Sequence, residues 1–192
     1  MDAKLKGKKV AILATHGFEL DELKSPKDAL EKAGAMTVVV SPAKEGKIKG
    51  WKGKDWSGDA AVDCKLDDAD PSTFDALVLP GGVLNPDQLR LEPKAIAFIK
   101  AFVDAGKPIA AICHGPWTLI NAGAVRGRKM TSWPTLETDL KNAGARWVDE
   151  EVVVDQGLVT SRKPDDLPAF NRRMIEVFAE GKSARPEPSA TA

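Results

Sequence analysis

The sequence predicts a single α/β domain in which helices pack on both faces of a mostly parallel sheet. Three observations lead there. Short apolar runs of buried-strand type recur, as in "KVAILAT" (9–15), "FDALVLPGG" (74–82) and "KPIAAIC" (107–113). Amphipathic stretches of helical period lie between them. No long linker or internal repeat divides the 192 residues, and with 43% of them hydrophobic they suffice for one sizeable core.

Taken in order, the first strand (9–15) leads to a helix over 19–34, with Leu20, Leu23, Leu30 and Ala33 near one face. Pro26 is expected to kink or restart that helix, and Gly34 to stop it. "MTVVV" (36–40) is the next strand, and residues 46–64 read as a hairpin holding Trp51 and Trp56 among glycines and lysines. After the strand at 74–82, "EPKAIAFIKAFVDAG" (92–106) is a helix with Pro93 in its first turn and Gly106 closing it. The strand 107–113 runs into a helix start at 114–123, and Leu136 and Leu140 mark a further short helix. A hairpin over 151–161 and a closing helix over 164–181 complete the domain, residues 1–181; residues 182–192 are predicted to form a disordered tail.

Composition removes several classes of function. Lys+Arg and Asp+Glu stand at 28 each, so a polyanion is not favoured as the main partner. The five lysines between Lys44 and Lys54 read as the solvated face of a hairpin, not a nucleic-acid patch. The two cysteines make no disulfide scaffold and suit a reducing, cytoplasmic compartment. "VAILA" (10–14) is too short for a signal-peptide core, and no run approaches the roughly 20 apolar residues of a membrane helix. Without a metal cluster, GxGxxG or Walker motif, neither metal nor cofactor is expected.

In open parallel sheets ligands bind beyond the carboxyl ends of the strands. Three such ends carry unusual residues here: "THGFE" (15–19), "PGGVLNPD" (80–87) and "CHGP" (113–116). In "IAAICHGPW", Cys113 falls at a sharp strand-to-helix turn flanked by the small residues Ala111 and Gly115. That is the pattern of a nucleophile elbow with Cys in place of Ser. A helix N-terminus directed at the sulfur favours thiolate, so the thiol pKa is expected below the free value of about 8.5. Cys64 has no such context and reads as structural.

The chain resembles the PfpI family of intracellular proteases, in the DJ/PfpI branch of the class I glutamine amidotransferase-like superfamily. The resemblance rests on "GFELDEL" (17–23), "FDALVLPGG" (74–82), "NPDQLR" (85–90), "GKPIAAICHGPW" (106–117), "GRKMTSWP" (127–134), "NAGARWVDEEVVVD" (142–155) and "SRKPDDLPAF" (161–170). It implies a flavodoxin-like three-layer sandwich, with Cys113 as nucleophile and His114 as its neighbouring histidine. It implies that Glu19 is the buried, protonated glutamate bonded to the sulfur, and that the N–H groups of Gly82 and His114 stabilise an oxyanion. Asp87 matches an acidic position that in relatives reaches the histidine from the neighbouring subunit, although the loop here is one residue longer. A homodimer or higher oligomer follows from that position.

The residues themselves add a constraint. No histidine follows His114, which excludes a triad with a distant downstream histidine; any assisting imidazole is His114 or His16. An adjacent histidine needs a second group to hold its ring, which is the case for Asp87 against a plain helix-capping role. Glu19 shares its turn with Asp21 and Glu22, where acids commonly just complement the helix dipole. Trp117 and Trp133 either wall the pocket or pack the core. The function implied is a stress-associated cysteine hydrolase of PfpI peptidase type, in which Cys113 attacks a carbonyl. The alternatives are a glyoxalase or deglycase acting on methylglyoxal-type aldehydes or adducts, and a redox-sensing or chaperone-like protein working through Cys113 oxidation.

Overall fold

A computed structural model describes residues 3–181; the expected tail, 182–192, lies outside the described residues. β1 (Lys9–Leu13) passes through the two-residue β2 (Phe18–Glu19) into α1 (Leu20–Lys32) and β3 (Met36–Ser41). β4 (Lys47–Lys52) and β5 (Asp55–Ala61) form the expected hairpin, followed by β6 (Cys64–Lys65), β7 (Ala76–Leu79), α2 (Leu84–Arg90) and α3 (Pro93–Asp104). Then come β8 (Ile109–Ile112), α4 (Trp117–Asn121), β9 (Lys129–Met130), α5 (Glu137–Asn142) and β10 (Arg146–Trp147). β11 (Val152–Asp155), β12 (Leu158–Ser161) and α6 (Leu167–Glu180) end the described chain.

Seven strands form the central sheet in the order β11-β12-β8-β7-β1-β3-β6. All neighbours are parallel except the β11–β12 hairpin at one edge. Strand alternation distributes the apolar residues between two cores. Val10, Ile12, Val78, Ala110 and Ile112 pack under α1 and α6, with Leu23, Leu30, Phe170 and Met174. Ala11, Leu13, Leu77, Leu79 and Ala111 face α3, α4 and α5, with Phe98, Phe102, Leu119 and Leu140. Burying each large side chain contributes about 1.5–3 kcal/mol, so both layers are held by apolar contact. This is the predicted flavodoxin-like sandwich.

The local boundaries differ in three instructive places. Glu19 is not inside the first helix but in β2, which pairs with β4 through Phe18↔Gly50 and Glu19↔Trp51. Pro26 neither breaks nor restarts α1; its missing N–H forfeits one helical bond, but Leu23, Pro26 and Leu30 are buried together and hold the helix on the sheet. The helix after Cys113 begins only at Trp117 and has five residues, because Gly115 and Pro116 first complete a tight turn.

Candidate active site

The carboxyl ends of β1, β7 and β8 meet as the sequence predicts, and the site is assembled there. Cys113 follows β8 with φ of 60°, the left-handed region that non-glycine residues rarely occupy. Its backbone is tied on both sides: its N–H donates to the Ser161 carbonyl at 3.0 Å, and its carbonyl accepts from Trp133 N–H at 2.9 Å. The Gly115 N–H closes the turn onto the Ile112 carbonyl at 2.8 Å. Neighbouring strands thus hold a conformation that costs about 1–3 kcal/mol locally. The elbow is present, and Cys113 is 6% exposed.

The sulfur faces three kinds of group. The backbone N–H groups of Gly82 and His114 hydrogen-bond to it, which places the expected oxyanion pair around the nucleophile. The His114 Nδ1 lies 3.2 Å from Sγ. The third group is a carboxyl, and it belongs to Glu22, not Glu19. Glu22 is fully buried, its carboxyl interacts with the Cys113 side chain, and its Oε2 accepts the Gly81 N–H at 3.0 Å, while Oε1 is left without a hydrogen-bond partner. Glu19 is only half-buried, and the charges of Asp21 and Lys52 act on it. The reason is rotational: Glu22 shares the inward face of α1 with Pro26 and Leu30, four and eight residues on. A charged residue on that apolar stripe was the signal in the sequence that identifies it.

Burial, then the charge of Glu19, pushes Glu22 up to about 8, so its carboxyl is neutral at pH 7. Glu19 itself is raised, by partial burial first and Asp21 second. The thiol departs from the expectation of a depressed pKa. Burial, and the charge on Glu22 once it ionises, push Cys113 up, against the two backbone N–H groups that favour the anion. The short α4, starting four residues later, supplies little dipole. Burial lowers His114 to about 4, leaving a neutral imidazole at pH 7 with Nδ1 beside the thiol.

The ring of Trp133 stacks on His114 with centroids 5.9 Å apart, so Trp133 is a wall of the site. Trp117 lies 6.2 Å from the same ring and carries the Arg90 guanidinium on its face, 4.5 Å from its centroid. The Thr135 hydroxyl is 3.5 Å from His114 Nε2, a long contact. His16 does not join the cysteine: its Nδ1 accepts the Lys49 N–H at 3.1 Å and its Nε2 lies 3.6 Å from Glu45, pinning the β4–β5 hairpin. Asp87 is exposed on α2 and makes no hydrogen bond or ion pair with His114 of its own chain. The lysines of the hairpin are surface groups, with Lys47 paired to Asp59 and Lys52 to Asp21. Among the described residues no group of three or more His, Cys, Asp or Glu side chains could hold a metal ion. No described helix is long and apolar enough to cross a membrane.

A strained cysteine on a strand-to-helix elbow, backed by a buried glutamate and flanked by a histidine, stands at the carboxyl edge of a flavodoxin-like domain. The chain belongs to the DJ-1/PfpI family, whose model matches residues 8–177. It is 46% identical over 172 residues to Protein/nucleic acid deglycase 2 of Escherichia coli, covering 89% of this chain and 98% of that protein. It is 47% identical over 173 residues to General stress protein 18 of Bacillus subtilis, covering 90% and 98%. Among solved structures, a two-domain protein of Anabaena variabilis with DJ-1/ThiJ/PfpI-like and ferritin-like domains superposes with a TM-score of 0.84 at 36% identity. That match covers 96% of this chain and 52% of the larger one.

Proposed function

We propose that the protein is a stress-associated, cytoplasmic, cofactor-independent enzyme in which Cys113 attacks small reactive carbonyl compounds and their adducts. One observation carries this reading: the thiol sits within reach of a neutral imidazole and between two backbone N–H groups. With an aldehyde such as methylglyoxal, the sulfur bonds to the aldehyde carbon and the thiol proton passes to His114 Nδ1. The N–H groups of Gly82 and His114 hold the developing oxyanion. Transfer of the hydrogen with its electron pair from that carbon to the adjacent ketone carbon oxidises the first and reduces the second, and the proton on His114 passes to the second carbon's oxygen, giving a 2-hydroxy thioester. Water then releases a 2-hydroxy acid and restores the thiol, with no external oxidant. The deglycase name borne by the Escherichia coli relative supports this chemistry.

A peptide carbonyl could form a thioester at the same nucleophile, the PfpI-type hydrolase reading. The 6% exposure of Cys113 favours the smaller electrophile. A redox sensor working through Cys113 oxidation needs neither the imidazole nor the oxyanion pair. The deciding experiment measures turnover of methylglyoxal and of unstructured peptides by the purified protein, with Cys113→Ala as the blank. Cys113-dependent conversion of the aldehyde alone is the expected result. Peptide cleavage without aldehyde turnover would replace it with the hydrolase reading.

Asp87 is assigned to the site of a facing subunit in a homodimer. On α2 and its flanks the apolar Val83, Leu84 and Leu91 are 56%, 40% and 84% exposed, and they share a helical face with Asp87. A twofold contact covers that face and brings Asp87 toward the partner's pocket. Cys113→Ala and Asp87→Ala, each inactive alone, are unfolded together and refolded. In each mixed dimer one site carries both defects and the other none, and random pairing makes half the dimers mixed. About a quarter of wild-type activity should return. No recovery beyond the separately refolded variants rules the shared site out.

A further inference from the structure

The site depends on two successive peptide planes, and a buried side chain outside the expected set touches both. Asn85, in the first turn of α2, is fully buried. Its Oδ1 accepts the Thr15 N–H at 2.7 Å, and its Nδ2 donates to the carbonyls of Pro80 at 3.0 Å and Gly81 at 3.1 Å. The amide orientation is fixed by these partners, one donor on one side and two acceptors on the other.

In a trans peptide the N–H points opposite the carbonyl. The Pro80 carbonyl shares its plane with the Gly81 N–H, which donates to Glu22. The Gly81 carbonyl shares its plane with the Gly82 N–H, which reaches the Cys113 sulfur. Each carbonyl held by Asn85 therefore aims an N–H at one of the two groups that matter most. Both planes border glycine, and Gly82 has φ of 78°, so peptide rotation here meets little steric resistance. The Thr15 bond anchors the amide to the end of β1, a fixed reference for both planes.

We infer that Asn85 is a positioning residue: it orients the Gly81 and Gly82 peptides so that one N–H holds Glu22 and the other serves the sulfur and the oxyanion. This deepens the proposed reading of the site and rests on it. Aspartate cannot substitute, because it would set a carboxylate against two carbonyl oxygens, whereas alanine frees the Pro80 carbonyl and leaves the Gly81 carbonyl only the Glu19 N–H at 3.2 Å.

The test uses Asn85→Ala and Asn85→Asp, with Phe102→Leu, in the core between the sheet and α3, as a control for lost stability. Two quantities are read: methylglyoxal turnover, and the pH dependence of Cys113 alkylation by iodoacetamide in a Cys64→Ser background. For Asn85→Ala, kcat should fall about a hundredfold, the loss typical of one oxyanion donor, with KM within about threefold. Its alkylation midpoint should move upward, since the Gly82 N–H bond favours the thiolate. Phe102→Leu should keep the wild-type midpoint. Wild-type kcat and midpoint in Asn85→Ala, or an equal shift in Phe102→Leu, would overturn the assignment. If Asn85→Ala does not fold, Asn85→Ser, which keeps one donor, is read in the same way and must show a smaller shift in the same direction. If the wild type itself lacks Cys113-dependent turnover, the reaction proposed above fails, while the alkylation midpoint still decides the role of Asn85.

Discussion

Glu22→Gln should flatten the pH dependence of folding stability, whereas Glu19→Gln should leave most of it in place. The folded protein holds the Glu22 proton up to about pH 8, while the unfolded chain releases it near 4.5. The stability conferred by the neutral carboxyl is thus fully present below 4.5. It is lost as pH rises through 8, because across that window the folded state binds more protons than the unfolded one. At about 1.4 kcal/mol per pH unit, the wild type loses on the order of 5 kcal/mol from this group as an upper bound. Glutamine does not titrate, keeps the volume, and can still accept the Gly81 N–H. Urea unfolding at pH 5, 6.5 and 8.5 provides the comparison. Parallel curves for wild type and Glu22→Gln would show that this carboxyl is not the buried acid described.

Gly115→Ala is expected to destabilise the fold strongly at the Cys113 elbow. A Cβ there would lie 2.4 Å from the Leu79 carbonyl oxygen and 2.9 Å from that of Ile112, the ends of β7 and β8. Both obstacles are backbone in the central sheet, so relief requires the elbow to move. Overpacking of this kind costs about 3 kcal/mol or more. For a chain of this size that lowers Tm by roughly 6–12 °C. Gly46→Ala is the control, since a Cβ there meets nothing within 4 Å. Calorimetry on the two variants, with Cys113 alkylation rates alongside, reads both the fold and the elbow. Equal melting of the two would mean that the turn has slack the structure does not show.

The sequence made the sheet and its elbow legible because both follow from local pattern. "KPIAAIC" and "FDALVLPGG" can only be buried strands, and small residues around Cys113 mark a turn that admits nothing larger. The identity of the buried acid was not legible by the same route. Glu19, Asp21 and Glu22 are equivalent as first-turn acids, and only the rotational phase of α1 on the sheet separates them. Phase is visible in the 22, 26, 30 spacing, but a glutamate on an apolar stripe contradicts the usual pattern. The direction of the thiol pKa was not legible because burial beneath α1 and the neighbouring Glu22, both tertiary facts, outweigh the two backbone N–H groups. Asn85 went unnoticed because its value lies in two carbonyls of a distant loop, a relation no local motif records.

The loops after β1 and β7 are pressed so closely that a Cβ on Gly82 would fall 2.3 Å from the Gly17 carbonyl oxygen. Two loops in such contact cannot part without tearing hydrogen bonds from the sheet ends. These two loops therefore form a fixed wall, and the geometry they set around Cys113 exists before any ligand arrives. Capture of a carbonyl compound becomes a matter of encounter and fit at a rigid mouth, and selectivity becomes one of size.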